Sequence, residues 1–124
     1  MRIFNGTLED INIIYGAEFD DEIAEYVGGE IIKTIPRNSE LYASGMGFKL
    51  LEGMDPIDGI PVFDRESIYC DQLPKGYDVY IVSETYAALY VSQEEQNGRI
   101  FTLADPVFEE DGETIIGYRG ISLF

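Results

Sequence analysis

The stretch YDVYIVSETYAALYV, residues 77–91, holds two kinds of local structure with one serine between them. Residues 77–82 (YDVYIV) are β-branched and aromatic, a composition that fits a pleated strand. Their nearly unbroken apolar character suits a strand buried on both faces. Ser83 is placed to cap a helix by accepting an N–H bond, and Glu84 puts negative charge in the first turn. Residues 84–91 (ETYAALYV) then read as the best helix of the chain. The turn LPKG at 73–76 and a polar loop at 93–98 bound the unit.

Toward the C-terminus, residues 99–103 read as a strand. Residues 105–109 (DPVFE) and 114–117 are extended runs around Asp111-Gly112, a strong hairpin signal. Toward the N-terminus, residues 10–15 (DINIIY) read as a strand closed by Gly16. Residues 18–27 (EFDDEIAEYV) carry apolar side chains at 19, 23, 26 and 27. That spacing, acids in the first turns and Gly28-Gly29 as a stop predict a short helix, with a polar loop as the alternative. Residues 30–35 (EIIKTI) form a strand that Pro36 ends, and 37–39 a turn. Short strands are expected at 40–43 and 48–51 around a bend at 45–47. A loop follows at 54–59, then a strand at 60–63 that 67–69 continue. The expectation is one α+β domain over residues 1–124, mostly antiparallel sheet of seven or eight short strands with one or two short helices.

Composition narrows the function. The chain has 124 residues, 24 acidic and 8 basic side chains, no histidine and one cysteine, for a net charge of −16. Direct binding to nucleic acid or to an anionic membrane is disfavoured, because both depend on Lys and Arg neutralising charge. Two readings of the acidity stay open: solubility alone, or a partner with a basic surface. The opening MRIFNG lacks the basic and apolar regions of a signal peptide, and no apolar run approaches a membrane span. With a lone Cys70, a reducing, cytoplasmic setting is expected.

The missing chemistry is as informative. Without histidine there is no Ser-His-Asp or Cys-His site and no histidine acid/base. Cys70 stands beside Asp71, which raises a thiol pKa. A zinc site has no soft-ligand set. Residues 55–59 (DPIDG) resemble part of a calcium loop without the spacing to a bidentate glutamate. No phosphate-binding glycine motif occurs. No metal, cofactor or catalytic residue is therefore expected, and the chain is read as a non-enzyme.

Binding residues are sought among the few cations and the nine tyrosines. Tyr77, Tyr80, Tyr86 and Tyr90 cluster around residues 77–91 and are read first as packing groups; stacking on a nucleotide ring is the alternative. Arg37 follows Pro36, Arg99 follows Gly98, and Arg119 stands close to Gly117 and Gly120. Glycines beside an arginine would let a ligand approach the backbone, and a phosphate needs only two or three such donors. Scattered ion pairs are the alternative.

The order Asn5-x-Thr7, Ile11-x-Ile13, Thr34-Ile35-Pro36, Asp58-Gly59-Ile60-Pro61-Val62, Leu73-Pro74, Tyr80-Ile81-Val82-Ser83, Asp105-Pro106-Val107 and Ile115-Ile116-Gly117-Tyr118-Arg119-Gly120 resembles a widespread group of small tailed-phage and prophage proteins. Gly6, Leu8 and Glu9 stand where that group has Leu, Pro and His. The resemblance implies a phage-type accessory protein acting in a bacterial cytoplasm, a context that suggests an antagonist of host immunity. Together with the missing catalytic apparatus, the tyrosines and glycine-flanked arginines, and the net charge, it leaves three functions as expectations. The first is a homo-oligomeric sponge for a nucleotide-type signal, held by Arg119, Arg99 and Arg37 with Tyr118 and Tyr86 stacking. The second is an acidic inhibitor of a CRISPR effector, restriction enzyme or other nuclease, using Glu18, Asp20, Asp21, Glu22, Glu109, Glu110 and Asp111. The third is a virion component.

Overall fold

A computed structural model gives the fold and describes residues 1–45, 48–65, 69–93 and 99–124. In chain order the elements are β1 (Ile3–Asn5), β2 (Ile11–Tyr15), β3 (Glu18–Asp20), β4 (Glu25–Val27), β5 (Glu30–Ile35), β6 (Ala43–Ser44), β7 (Phe48–Leu50), β8 (Phe63–Arg65), β9 (Tyr69–Cys70), β10 (Val79–Ile81), α1 (Glu84–Gln93), β11 (Ile100–Phe108) and β12 (Ile115–Leu123). The fold is β-rich with one helix among the described residues, as the α+β reading requires, but it has more strands than the seven or eight expected.

The stretch at 77–91 organises the molecule. β10, α1 and β11 form a β-α-β unit, with β10 and β11 parallel and adjacent. β1 joins the other side of β10, also parallel, with Phe4 opposite Tyr80. From β11 onward the sheet continues through the β11–β12 hairpin to β2 and β5, in the order β1-β10-β11-β12-β2-β5. The sheet is therefore mixed, which corrects the expectation of a mostly antiparallel one. The unbroken apolar run of β10 carried that information, because strands covered on both faces belong to parallel units.

β10 is covered on both faces by different layers. Tyr80 and Val82 join Phe4, Leu41, Tyr86, Ala87 and Ile100 under helix α1. Ile81 points the other way, into a cluster with Ile11 and Ile35 from β2 and β5. Ser83 caps the helix as expected: its Oγ accepts the Tyr86 N–H at 3.1 Å. Ile81, Val82, Ile100 and Val107 are at most 1% exposed, and burying such side chains contributes about 1.5–3 kcal/mol each.

Residues 18–27 are not a helix. They form the β3–β4 hairpin, with Phe19 opposite Tyr26 and their ring centroids 5.1 Å apart. The turn runs through Ala24 at φ 55°. Residues seven apart share a helix face, but they also meet across a tight hairpin, so the spacing fits both. The hairpin wins because β4 can pair with the end of β11, Tyr26 beside Val107. The strands expected at 40–43 and 60–63 are displaced to β6 and β8. The expected bend at 45–47, strand continuation at 67–69 and loop at 93–98 reach outside the described residues.

Candidate ligand-binding crevice

A gap in the sheet creates one crevice. On the edge of β11 away from β12, β10 pairs at residues 100–101 and β4 pairs at 107–108. The registers leave residues 102–106 between them. β11 bends there, with Asp105 at φ 52° followed by Pro106. A crevice of about 540 Å³ opens at this point, beyond the carboxyl ends of β1 and β10 and beside the first turn of α1. Parallel strands next to a helix N-terminus commonly place ligands at this end.

Asn5 shapes the crevice. It is fully buried. Its Nδ2 donates to the carbonyls of Glu9 at 3.0 Å and Ile35 at 3.1 Å. Its Oδ1 accepts from the Thr7 N–H at 3.0 Å and the Thr7 hydroxyl at 2.6 Å. This is a side-chain-closed turn of the kind Asn forms, and it fixes the 6–10 loop that makes one wall. The Asn5-x-Thr7 phrase is thus a loop-forming device. On this wall Gly6 leaves space for Leu41: a Cβ at Gly6 would sit 3.0 Å from the Leu41 side chain.

Ile11, Leu41, Val82 and Thr102 lie deepest, each at most 8% exposed. Exposed carboxylates of Glu9, Asp10, Glu40 and Glu84 line the crevice, and no Lys or Arg among the described residues does. Tyr118 and Pro106 complete the far side. Five separate segments of the chain supply these acidic and hydroxyl groups, so no local pattern announces them as a set. The one local signal was Ser83-Glu84 at the helix start.

The five residues expected to hold a nucleotide do not form one constellation within the chain. Tyr118 lines the crevice. Arg37 lies at its edge, donating from Nε to the Thr7 carbonyl at 3.3 Å, while its backbone N–H donates to Asp10 Oδ1 at 2.8 Å. Arg99 immediately precedes β11, at the opposite, amino end of the parallel strands, with Nη1 3.4 Å from the Tyr77 carbonyl. Arg119 pairs with Asp105 at 3.0 Å and lies over the Tyr26 ring at 4.2 Å, on the face of β12 opposite to Tyr118. Tyr86 is 0% exposed, stacked on Tyr90 at 5.8 Å and donating its hydroxyl to the Asp71 carbonyl. It is a core residue with no face open to a ligand. Burial, first of all, pushes its hydroxyl pKa far up. Burial and then Asp71 raise the Cys70 thiol, in keeping with a structural cysteine.

The two acidic segments do meet. The β3–β4 turn and the β11–β12 turn pack together: a Cβ at Gly112 would lie 3.1 Å from Ile23 and 3.4 Å from a Glu25 carboxyl oxygen. That oxygen is buried without a hydrogen-bond partner among the described residues. Glu18, Asp21, Glu22, Glu109, Glu110 and Asp111 are exposed around this contact and Asp20 is half-buried. A second depression, of about 580 Å³ but more open to solvent than the crevice, runs along Glu18 to Glu22. No group of three or more His, Cys, Asp or Glu among the described residues is disposed to hold a metal ion, and no described helix is long and apolar enough to cross a membrane.

No known protein family matches the chain, and neither does any curated protein or solved structure.

Proposed function

We propose that the chain is a non-enzymatic, phage-type binding protein that captures a nucleotide-derived signalling molecule of bacterial immunity in the host cytoplasm. The observation that carries this reading is the crevice at the sheet gap. Its volume of about 540 Å³ falls in the range of small-molecule sites, roughly 300–1,000 Å³. Tyr118 supplies an aromatic wall for a base. Helix α1 directs its positive end there, and Arg37 lies close by for an outward-pointing phosphate. Thr7, Val82, Ser83, Pro106 and Tyr118, all within the phrases that resemble phage proteins, come together at this one place. Arg99 and Arg119 reach a ligand only if a second copy brings them to it, which is the part an oligomer would play. Native mass spectrometry of protein purified from cells with active defence systems should show a nucleotide-sized adduct. Cyclic dinucleotides or cyclised ADP-ribose should raise the Tm; a flat response across that panel, with no adduct, contradicts the proposal.

The packing of the β3–β4 and β11–β12 turns favours a second reading, an acidic inhibitor of a basic host protein such as a nuclease. Nine exposed or half-buried carboxylates in residues 18–25 and 109–113 present a surface whose attraction for cationic grooves is steeply screened by salt. Reversing Glu22 and Glu110 together to Lys should weaken capture of such a partner. An affinity unchanged between about 50 mM and 500 mM salt would exclude this reading.

A further inference from the structure

We infer that the crevice reads the sugar of its ligand, through hydroxyl groups, and turns phosphate outward. The inference rests on the nucleotide-capture reading and specifies which end of the ligand enters. Thr102 is the central observation. It is 6% exposed and lines the crevice, and its side-chain hydroxyl makes no hydrogen bond to the described residues. That hydroxyl is not among the sealed, unpartnered polar atoms; it stays open to the crevice, where a ligand group can replace the water that serves it. Around it the deep surface is apolar, made by Ile11, Leu41 and Val82. Above it stand the Glu9, Glu40 and Glu84 carboxylates, which accept hydrogen bonds and donate none.

This lining calls for a ligand with several donors on a compact, partly apolar body. A furanose with vicinal hydroxyls has that character, and carboxylates are established partners of ribose hydroxyls. Phosphate is unsuited to the interior, since the carboxylates at the mouth repel it and no basic side chain among the described residues lines the cavity; Arg37 and the first turn of α1 meet it only at the edge. A compact organic cation suits the mouth but would have to give up its hydration against the apolar depth, where Thr102 is the one polar side chain.

Isothermal titration with adenosine, 2′,3′-dideoxyadenosine, pyrophosphate and spermidine tests this. Adenosine should bind, removal of both hydroxyls should weaken it roughly tenfold or more, and pyrophosphate should not bind. Thr102→Val, close in shape to the native residue, and Glu84→Gln, at an exposed position, should each shrink the adenosine-to-dideoxyadenosine ratio toward one. Equal binding of the two nucleosides, binding of pyrophosphate, or tighter binding of spermidine than adenosine overturns the sugar inference while leaving nucleotide capture to stand on its own panel. If no nucleoside binds and no nucleotide signal raises the Tm, both fall.

Discussion

Arg119 stands near two glycines that serve different ends. At Gly117 a Cβ would meet the Asn12 carbonyl at 2.5 Å and the Ile14 side chain at 2.8 Å, because β2 runs close beside β12 as its parallel neighbour there. Asn12 then ties the strands by donating from Nδ2 to the Ile116 carbonyl at 3.2 Å. At Gly120 a Cβ would meet nothing within 4 Å. Gly117→Ala should therefore cost about 2 kcal/mol or more, and Gly120→Ala within roughly 0.5 kcal/mol of zero, read from urea midpoints. Arg119 itself is a strand arginine with a carboxylate partner, 45% exposed against 52% for Asp105. Arg119→Ala should cost no more than about 1 kcal/mol. Asn5→Ala should cost roughly 2–4 kcal/mol, since it strands the buried groups that Asn5 now serves. The glycines were visible in the sequence. Which of them was a close approach depended on β2, which lies a hundred residues away in the chain, and local spacing carries no trace of it.

Elements were legible where one local rule dominated. The strand and capped helix of 77–91 and the hairpin at Asp111-Gly112 rest on caps and turn residues, which act within a few positions. Asp111 Oδ1 accepts the N–H of Glu113 at 2.8 Å and of Thr114 at 3.2 Å, and those backbone bonds hold its carboxyl below the ordinary 3.8. A depressed folded-state pKa gives stability present above the unfolded value and lost as pH falls through the folded one. Asp111→Asn should thus be less stable than the parent near neutral pH, and the difference should fade in denaturant titrations below pH 3.8. Tyr86 has the opposite sign. Burial raises its hydroxyl above the ordinary 10.0, so its contribution is complete below that pH and declines as pH rises beyond it. The parent should lose stability more steeply than Tyr86→Phe in that alkaline range. In the 18–27 segment helical spacing and hairpin register coincide for Phe19 and Tyr26, so the local pattern fits both, and only pairing with β11 breaks the tie.

At the scale of the molecule, the class of fold was legible from composition and pattern, and the order of the strands was not. Parallel pairing of β1, β10 and β11 joins segments from both ends of the chain. The crevice exists only because β10 and β4 cover different parts of one edge of β11. Its acidic mouth could not be told from any other carboxylates among 24. That charge has a global consequence as well: with a net −16, raising salt from about 20 mM to 500 mM should increase the unfolding midpoint by screening self-repulsion. The most direct test of the central claim is a two-dimensional amide NMR titration of the labelled protein with a cyclised ADP-ribose and a panel of cyclic dinucleotides. The account predicts that one of these shifts the resonances of Thr7, Ser83, Thr102 and Tyr118 together and saturably. Shifts confined to residues 18–25 and 109–113, or none for any member of the panel, would contradict it.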